Sequence, residues 1–178
     1  MNLYNMNSDN ITMNIDGKDM EMIPAICFGK VYDKWLVSKC GKIWSIHSNR
    51  ILPGTIDYIQ MKEGRRAKNI KYNFSAPIDF WEDGSGLIRK DRPSTFLQRN
   101  IRKHQIIMDT WAPLYDNPPE GIVWEEWEIV RDLPTVYNHI SKTVVIDHID
   151  DDPTNNHLDN LKRVTSWDNN KTRKTKGI

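Results

Sequence analysis

The apolar positions of this chain gather into short β-prone runs separated by polar turns, and few stretches show helical spacing. Residues 1 to about 24 are rich in Asn and Met with little periodicity, and predict a loose arm with one strand, Ile11 to Ile15. Val31 to Val37 and Gly41 to Ile46 flank a Ser38-Lys39-Cys40-Gly41 turn, which predicts a β-hairpin with Gly41 supplying positive φ. Ile56 to Met61 and Asn69 to Phe74 predict two further strands, joined by Lys62-Glu63-Gly64-Arg65-Arg66, a turn loaded with cations. Pro77, Asp83-Gly84-Ser85-Gly86 and Pro93 make 76–95 loop-rich, with Trp81 packed. Ser94 to Ala112 predicts mainly a helix that ends before Pro113, with Ile107, Met108 and Trp111 on its core face.

The most informative pattern lies at 144–170. Val144-Val145-Ile146 is a β-branched strand signal. Asp150 to Asn156 is a turn-forming mixture of Asp, Pro, Thr and Asn, and Leu161 to Val164 returns as a second strand. Thr165 or Ser166 then caps a helix with Asp168 in its first turn. A hairpin folded on that helix brings Asp147 and His148, at a strand end, towards Asn169, at a helix start. Carboxylate and carboxamide oxygens are hard ligands suited to Mg²⁺ or Mn²⁺. An imidazole titrates near neutrality and takes a proton from water. One cation and one neutral imidazole suffice to hydrolyse a phosphodiester. Such activity is expected to fall as pH drops through the ordinary imidazole range, ~6.5.

Charge changes the picture more through its placement than through its total. The net charge of +1 is unpromising for a nucleic-acid partner. Between Lys62 and Lys103, however, eleven basic residues stand against five acidic ones, and from Leu161 to Ile178 six stand against one. Asp116 to Thr135 carries six acidic residues against Arg131 alone. Two basic segments around an acidic one fit a protein with a DNA face and a solvent face. No apolar run approaches membrane-spanning length. The N-terminus has neither the basic start nor the apolar stretch of a secretory signal, so a cytoplasmic location is the expectation. The two cysteines, Cys27 and Cys40, form no Cys-x-x-Cys, and no zinc site is expected.

Val145-Ile146-Asp147-His148, Asp150, Asn155-Asn156, Asn160-Leu161, Val164-Thr165 and Asn169 together resemble the HNH nuclease motif. The nearest resemblance is to the phage and intron-encoded HNH homing endonucleases. It implies that His148 is the general base, and that Asn160 is the middle N of the catalytic motif, holding its loop in shape. It also implies that Asp147 and Asn169 ligate Mg²⁺, or Mn²⁺ in its place. Leu36-Val37-Ser38, Gly41-Lys42-Ile43 and Ser45-Ile46 resemble an element found ahead of many phage HNH domains and associated with DNA contact, which places Lys42 at the DNA. His104 resembles the histidine of the helix that precedes the motif in the family, with a supporting or phosphate-contacting role. Asn117 to Gly121 resembles the connector that normally leads straight into the motif, so Ile122 to Lys142, acidic and aromatic, is an apparent insertion forming a small helix or strand. Within it, His139 is placed at the surface.

The expected fold is α+β: an arm (1–25), a β-rich DNA-binding region (26–93), and a ββα-metal nuclease core (94–178) with an insertion at 122–142. The expected partner is double-stranded DNA, with RNA still open. Arg65, Arg66, Lys42, His104, Lys171, Arg173 and Lys174 are the candidate contacts. A monomer on DNA and a dimer are both open, as are nicking and double-strand cleavage. Phage origin, and with it a bacterial host cell, follows from the resemblance alone. The alternative is a non-catalytic DNA-binding or accessory protein of phage DNA processing, its HNH centre weak or structural.

Overall fold

The computed structural model describes residues 10–61, 64–81 and 96–175. The fold is mixed and strand-rich, with few helices. A five-stranded antiparallel sheet runs in chain order through β1 (Ile11–Ile15), β2 (Lys18–Cys27), β3 (Lys30–Ser38), β4 (Ile43–Ser45) and β5 (Arg50–Ile51). A three-stranded sheet follows, formed by β6 (Thr55–Met61), β7 (Gly64–Pro77) and β8 (Phe96–Arg102). Helix α1 (Lys103–Trp111) continues directly from β8. Then come α2 (Trp124–Arg131), α3 (Pro134–Thr143), the hairpin strands β9 (Val144–His148) and β10 (Leu161–Thr165), and α4 (Ser166–Thr175). Among the described residues no helix is long and apolar enough to cross a membrane.

The expected arm is strand where it is described: Ile11 to Ile15 forms as expected, and ten residues from Lys18 form a second strand, while residues 1–9 lie outside the described residues. Asp16 and Gly17 both take positive φ, at 54° and 77°, which is the two-residue turn that matches strand twist. Ile15 therefore pairs with Lys18, and the register carries through to Ile11 and Met22. Phe28 and Gly29 repeat the device between β2 and β3. The hairpin over β3 and β4 forms as expected, with Val37 opposite Ile43. Alternation along β3 sends Trp35 and Val37 to the main core, and Leu36 to a smaller cluster with Ile15 and Met22.

The expected long helix over 94–112 is half strand. Phe96 to Arg102 pairs with β7, and its exposure alternates residue by residue. Arg99 occupies an inward position, its guanidinium 5.1 Å from the Trp81 ring centre and 6.0 Å from that of Phe28. A cation at a core-facing site hides the period-two pattern from hydropathy, although stacking on aromatic faces accommodates it. Only Lys103 onward is helical, and Ile106, Ile107 and Met108 supply its buried face.

One core joins both sheets, α1 and the last hairpin. Ile70, Tyr72, Phe74 and Ala76 alternate inward from β7 and meet Trp35, Val37 and Ile43, with Ile101, Ile107 and Leu161 alongside. The β7–β8 pairing spans the expected division between 93 and 94. Phe74 is fully buried among the rings of Phe28, Tyr32, Trp35, Phe80 and Trp81, at centroid distances of 4.6–5.6 Å. The insertion is the helix pair α2–α3, pinned by buried Trp127, whose indole N–H donates to the Tyr115 carbonyl at 3.0 Å. Truncating a buried aromatic ring removes about 3–5 kcal/mol. Phe74→Ala is expected to lose that much in urea unfolding, and a loss under about 1 kcal/mol would contradict its central position.

Candidate active site

Strands β9 and β10 pair in register from Val144 opposite Thr165 to His148 opposite Leu161. The loop between them is built from its own polar groups. The Asp150 carboxylate accepts from Asn160 Nδ2 at 2.9 Å, Asn155 Nδ2 at 2.7 Å and the Asp152 N–H at 2.9 Å. Asp152 accepts from the Thr154 N–H at 2.8 Å and the Thr154 hydroxyl at 2.7 Å. Donors from Asn155 and Asn160 hold the Asp150 carboxyl below the usual carboxylate range, and Thr154 does the same for Asp152. Asn160 completes the loop, accepting from the Asp150 N–H at 3.1 Å and donating to the Asn155 carbonyl at 2.8 Å. Its amide is thus committed to backbone shape and has no lone donor to offer a reacting group.

His148 ends β9 and is 9% exposed. Its Nε2 lies 3.3 Å from Asn156 Oδ1. Asn156 is 3% exposed, and its Nδ2 donates to the Thr154 carbonyl at 2.9 Å and the Pro153 carbonyl at 3.3 Å. Those two acceptors settle which way the amide faces, so Oδ1 is the atom presented to the imidazole. Nε2 therefore carries the hydrogen in that contact, and Nδ1 keeps the lone pair. Asn156 belongs to the motif, but its place in the sequence carries no sign of this role. Burial alone separates it from its exposed neighbour Asn155.

The ring of His148 meets that of His104 edge-on, with centroids 5.3 Å apart. His104 was expected to support the site or touch phosphate. It is 9% exposed, and its Nδ1 is buried without a hydrogen-bond partner. Burial, then the neighbouring His148 and Arg102, push its pKa down to about 3. Buried and held neutral, His104 packs against His148 from behind.

Asp147 and His148 leave β9 on opposite faces, because successive strand residues alternate. Asp147 stands across the hairpin from Lys162, which pairs with Glu120 at 2.7 Å. Helix α4 packs on β9 and β10. It opens with a reciprocal cap: the Thr165 hydroxyl accepts the Asp168 N–H at 3.1 Å and donates to the Asp168 carboxylate at 2.5 Å. Asn169 is half-buried between exposed Asp168 and Asn170, so it is the inward residue of that turn. Among the described residues, neither Asp147 nor Asn169 has a side-chain hydrogen bond or ion pair, although the charge of the Asp147 carboxylate contributes to raising the Lys162 pKa. A half-buried carboxylate and carboxamide with uncommitted oxygens fit a hard divalent cation. Among the described residues no cluster of three or more His, Cys, Asp or Glu side chains forms a metal site on its own.

The remaining candidates are dispersed. Lys62 and Glu63 lie outside the described residues, and Arg65 and Arg66 are strand residues of β7, opposite Gln60 and Ile59, instead of turn residues. Lys42 is half-buried on the β3–β4 turn, 3.8 Å from the Asp16 carboxylate. Lys171, Arg173 and Lys174 lie on α4. Not every cation of the basic segment faces solvent, since Arg99 is stacked inward and Lys71 pairs with Asp57 at 3.4 Å. His139 is exposed, as expected, and His157 is exposed as well.

No family model matches this sequence, and no curated protein matches it. Among solved structures the chain is similar to one described as "DNA binding and cleavage by the HNH homing endonuclease I-HmuI", at 17% identity and a TM-score of 0.39. The alignment covers 80% of this chain and 53% of that one, about half its length. At that TM-score, function must be sought in this chain's own geometry.

The buried His104 gives a pH prediction with a definite sign. The unfolded ring takes its proton near ~6.5, whereas the folded one does so only at about 3. Between those values the unfolded chain binds more protons. Stability is therefore whole above the upper value and falls as pH drops towards the lower, by up to about 1.4 kcal/mol per pH unit from this ring. His104→Gln is expected to flatten that fall in urea midpoints measured across the window; parallel profiles for the two proteins would contradict the buried neutral state.

Proposed function

We propose that this chain is a metal-dependent HNH endonuclease that hydrolyses phosphodiester bonds in double-stranded DNA, of the phage homing type. One contrast carries the reading. Asp150, Asp152, Asn155, Asn156 and Asn160 are all engaged by the loop or by His148, whereas Asp147 and Asn169 keep their oxygens open. The loop's own donors take up its other Asp and Asn oxygens, which leaves Asp147 and Asn169 as partly exposed oxygens that a cation can reach.

His148 takes the proton of the attacking water at Nδ1, because its Nε2–H is engaged by Asn156. Asp147 and Asn169 would hold Mg²⁺, or Mn²⁺ in its place. That ion, when bound, stabilises charge on the phosphate and the departing 3′ oxygen. Since Asp147 and His148 diverge from the last two positions of β9, a phosphodiester touching both must lie across the end of that strand. Lys42, Arg65, Arg66, Lys171, Arg173 and Lys174 are the proposed phosphate contacts, fixing register without reading bases. His104, being buried, is not among them. One such centre cuts one strand per engagement. The setting that goes with this reading is the cytoplasm of a bacterial host.

A supercoiled-plasmid assay tests the reading. Mg²⁺-dependent nicking is expected, abolished by EDTA, with His148→Ala slower by about 10²–10⁴-fold. Asp147→Ala and Asn169→Ala should also lose activity, and extra Mg²⁺ should recover part of it. Retarded plasmid with no metal-dependent cutting by wild type or variant would instead identify a DNA-binding protein with a structural HNH centre.

A further inference from the structure

The turn between β3 and β4 touches the loop that carries the site, although it comes from the other end of the chain. The turn is tightly made. Gly41 N–H donates to the Ser38 carbonyl at 3.1 Å, and Lys42 N–H donates to the Ser38 hydroxyl at 2.9 Å. It meets the loop at two backbone points. The Lys39 carbonyl accepts the Leu158 N–H at 2.8 Å. Gly41 is buried, has φ of +82°, and lies so near the Asn156 carbonyl that a Cβ there would sit 2.7 Å from that oxygen. The same Cβ would be 3.4 Å from Ile107 Cδ1, so Gly41 lies against the loop and α1 at once. Only glycine permits that approach. The residue so held, Asn156, is the one whose Oδ1 faces His148.

We propose that the β3–β4 turn is a positioning element for His148. Gly41 and the Lys39 carbonyl seat the backbone of Asn156 to Leu158, and the seated Asn156 amide sets the ring orientation and tautomer of His148. Gly41 and Asn156 are positioning residues, since neither reaches the reacting atoms. This rests on the reading of His148 as the base. It gives the N-terminal sheet a part in catalysis beyond DNA contact. Lys39 and Lys42 stand on the same turn, so the segment proposed to meet phosphate also holds the loop behind the base.

The test uses the full chain with ¹⁵N-labelled histidine. Gly41→Ala adds a methyl against Asn156 and strains the turn. Gly41→Asn adds the same Cβ while tolerating positive φ, which separates displacement of Asn156 from backbone strain and guards against loss of the fold. Both variants are expected to lower kcat about 10–100-fold with KM for plasmid within about twofold, as misplacement of a catalytic group does. Both should move the His148 ring ¹⁵N shifts, recorded with the ring neutral, away from the Nε2–H pattern of wild type. Asn156→Ala should reproduce that change with the turn intact. Unchanged kcat and ring shifts in a folded Gly41→Asn protein would overturn the proposal and leave the nuclease reading standing. A wild type that cuts no DNA, but whose His148 ring shifts still respond to Gly41→Asn, would remove the nuclease reading and retain the positioning contact.

Discussion

A long polar loop set against a protein core must satisfy its own donors and acceptors, and the rest of this site depends on how that is done. Asp150 is the hub, receiving two side-chain amides and one backbone N–H on its two oxygens. Each of those bonds restricts the loop, and together they favour one loop shape among many. With the loop closed, Asn156 turns inward and meets His148, and the strand positions before the loop are fixed in space. The chemistry assigned to Asp147 and Asn169 follows from their exclusion from this network.

Packing carries that local order to the rest of the molecule. The hairpin is tied to α1 by Arg163, which bonds the Asp109 carboxylate at 2.9 Å and also the Ala112 carbonyl. Leu161 enters the shared core beside α1. On the other side, β2 is tied to the same helix, where the Ile26 N–H donates to the Thr110 hydroxyl at 2.8 Å. Helix α1 therefore stands between the N-terminal sheet and the site, with His104 as the wall behind His148. The turn at Gly41 is the second bridge between the same two parts.

Much of this was legible in the sequence wherever one residue type has one physical use. The β-branched run at Val144, the Thr165 cap and the Gly41 turn each formed as their chemistry dictates. The misreadings have equally local causes. Asp16-Gly17 is a strong hairpin signal, but the Met- and Glu-bearing run after it lacks clear alternation, and β2 was read as a loose arm. Arg99 in an inward slot made β8 look like the start of a helix. Arg65 and Arg66 looked like turn residues because glycine precedes them, yet Gly64 itself opens the strand. Asn155 and Asn156 are identical letters in one polar run. Only the fold makes one a loop brace and the other the partner of an imidazole.

The account stands on Asp147 and Asn169 sharing one cation while the loop carboxylates stay occupied by their own donors. Titrating ¹⁵N-labelled protein with Mn²⁺ and following paramagnetic broadening reads this directly, with no need for DNA. The predicted result is that the Asn169 side-chain amide and the Asp147 backbone amide broaden first and together. Broadening centred on Asp150 and Asp152, with Asn169 untouched, would contradict it.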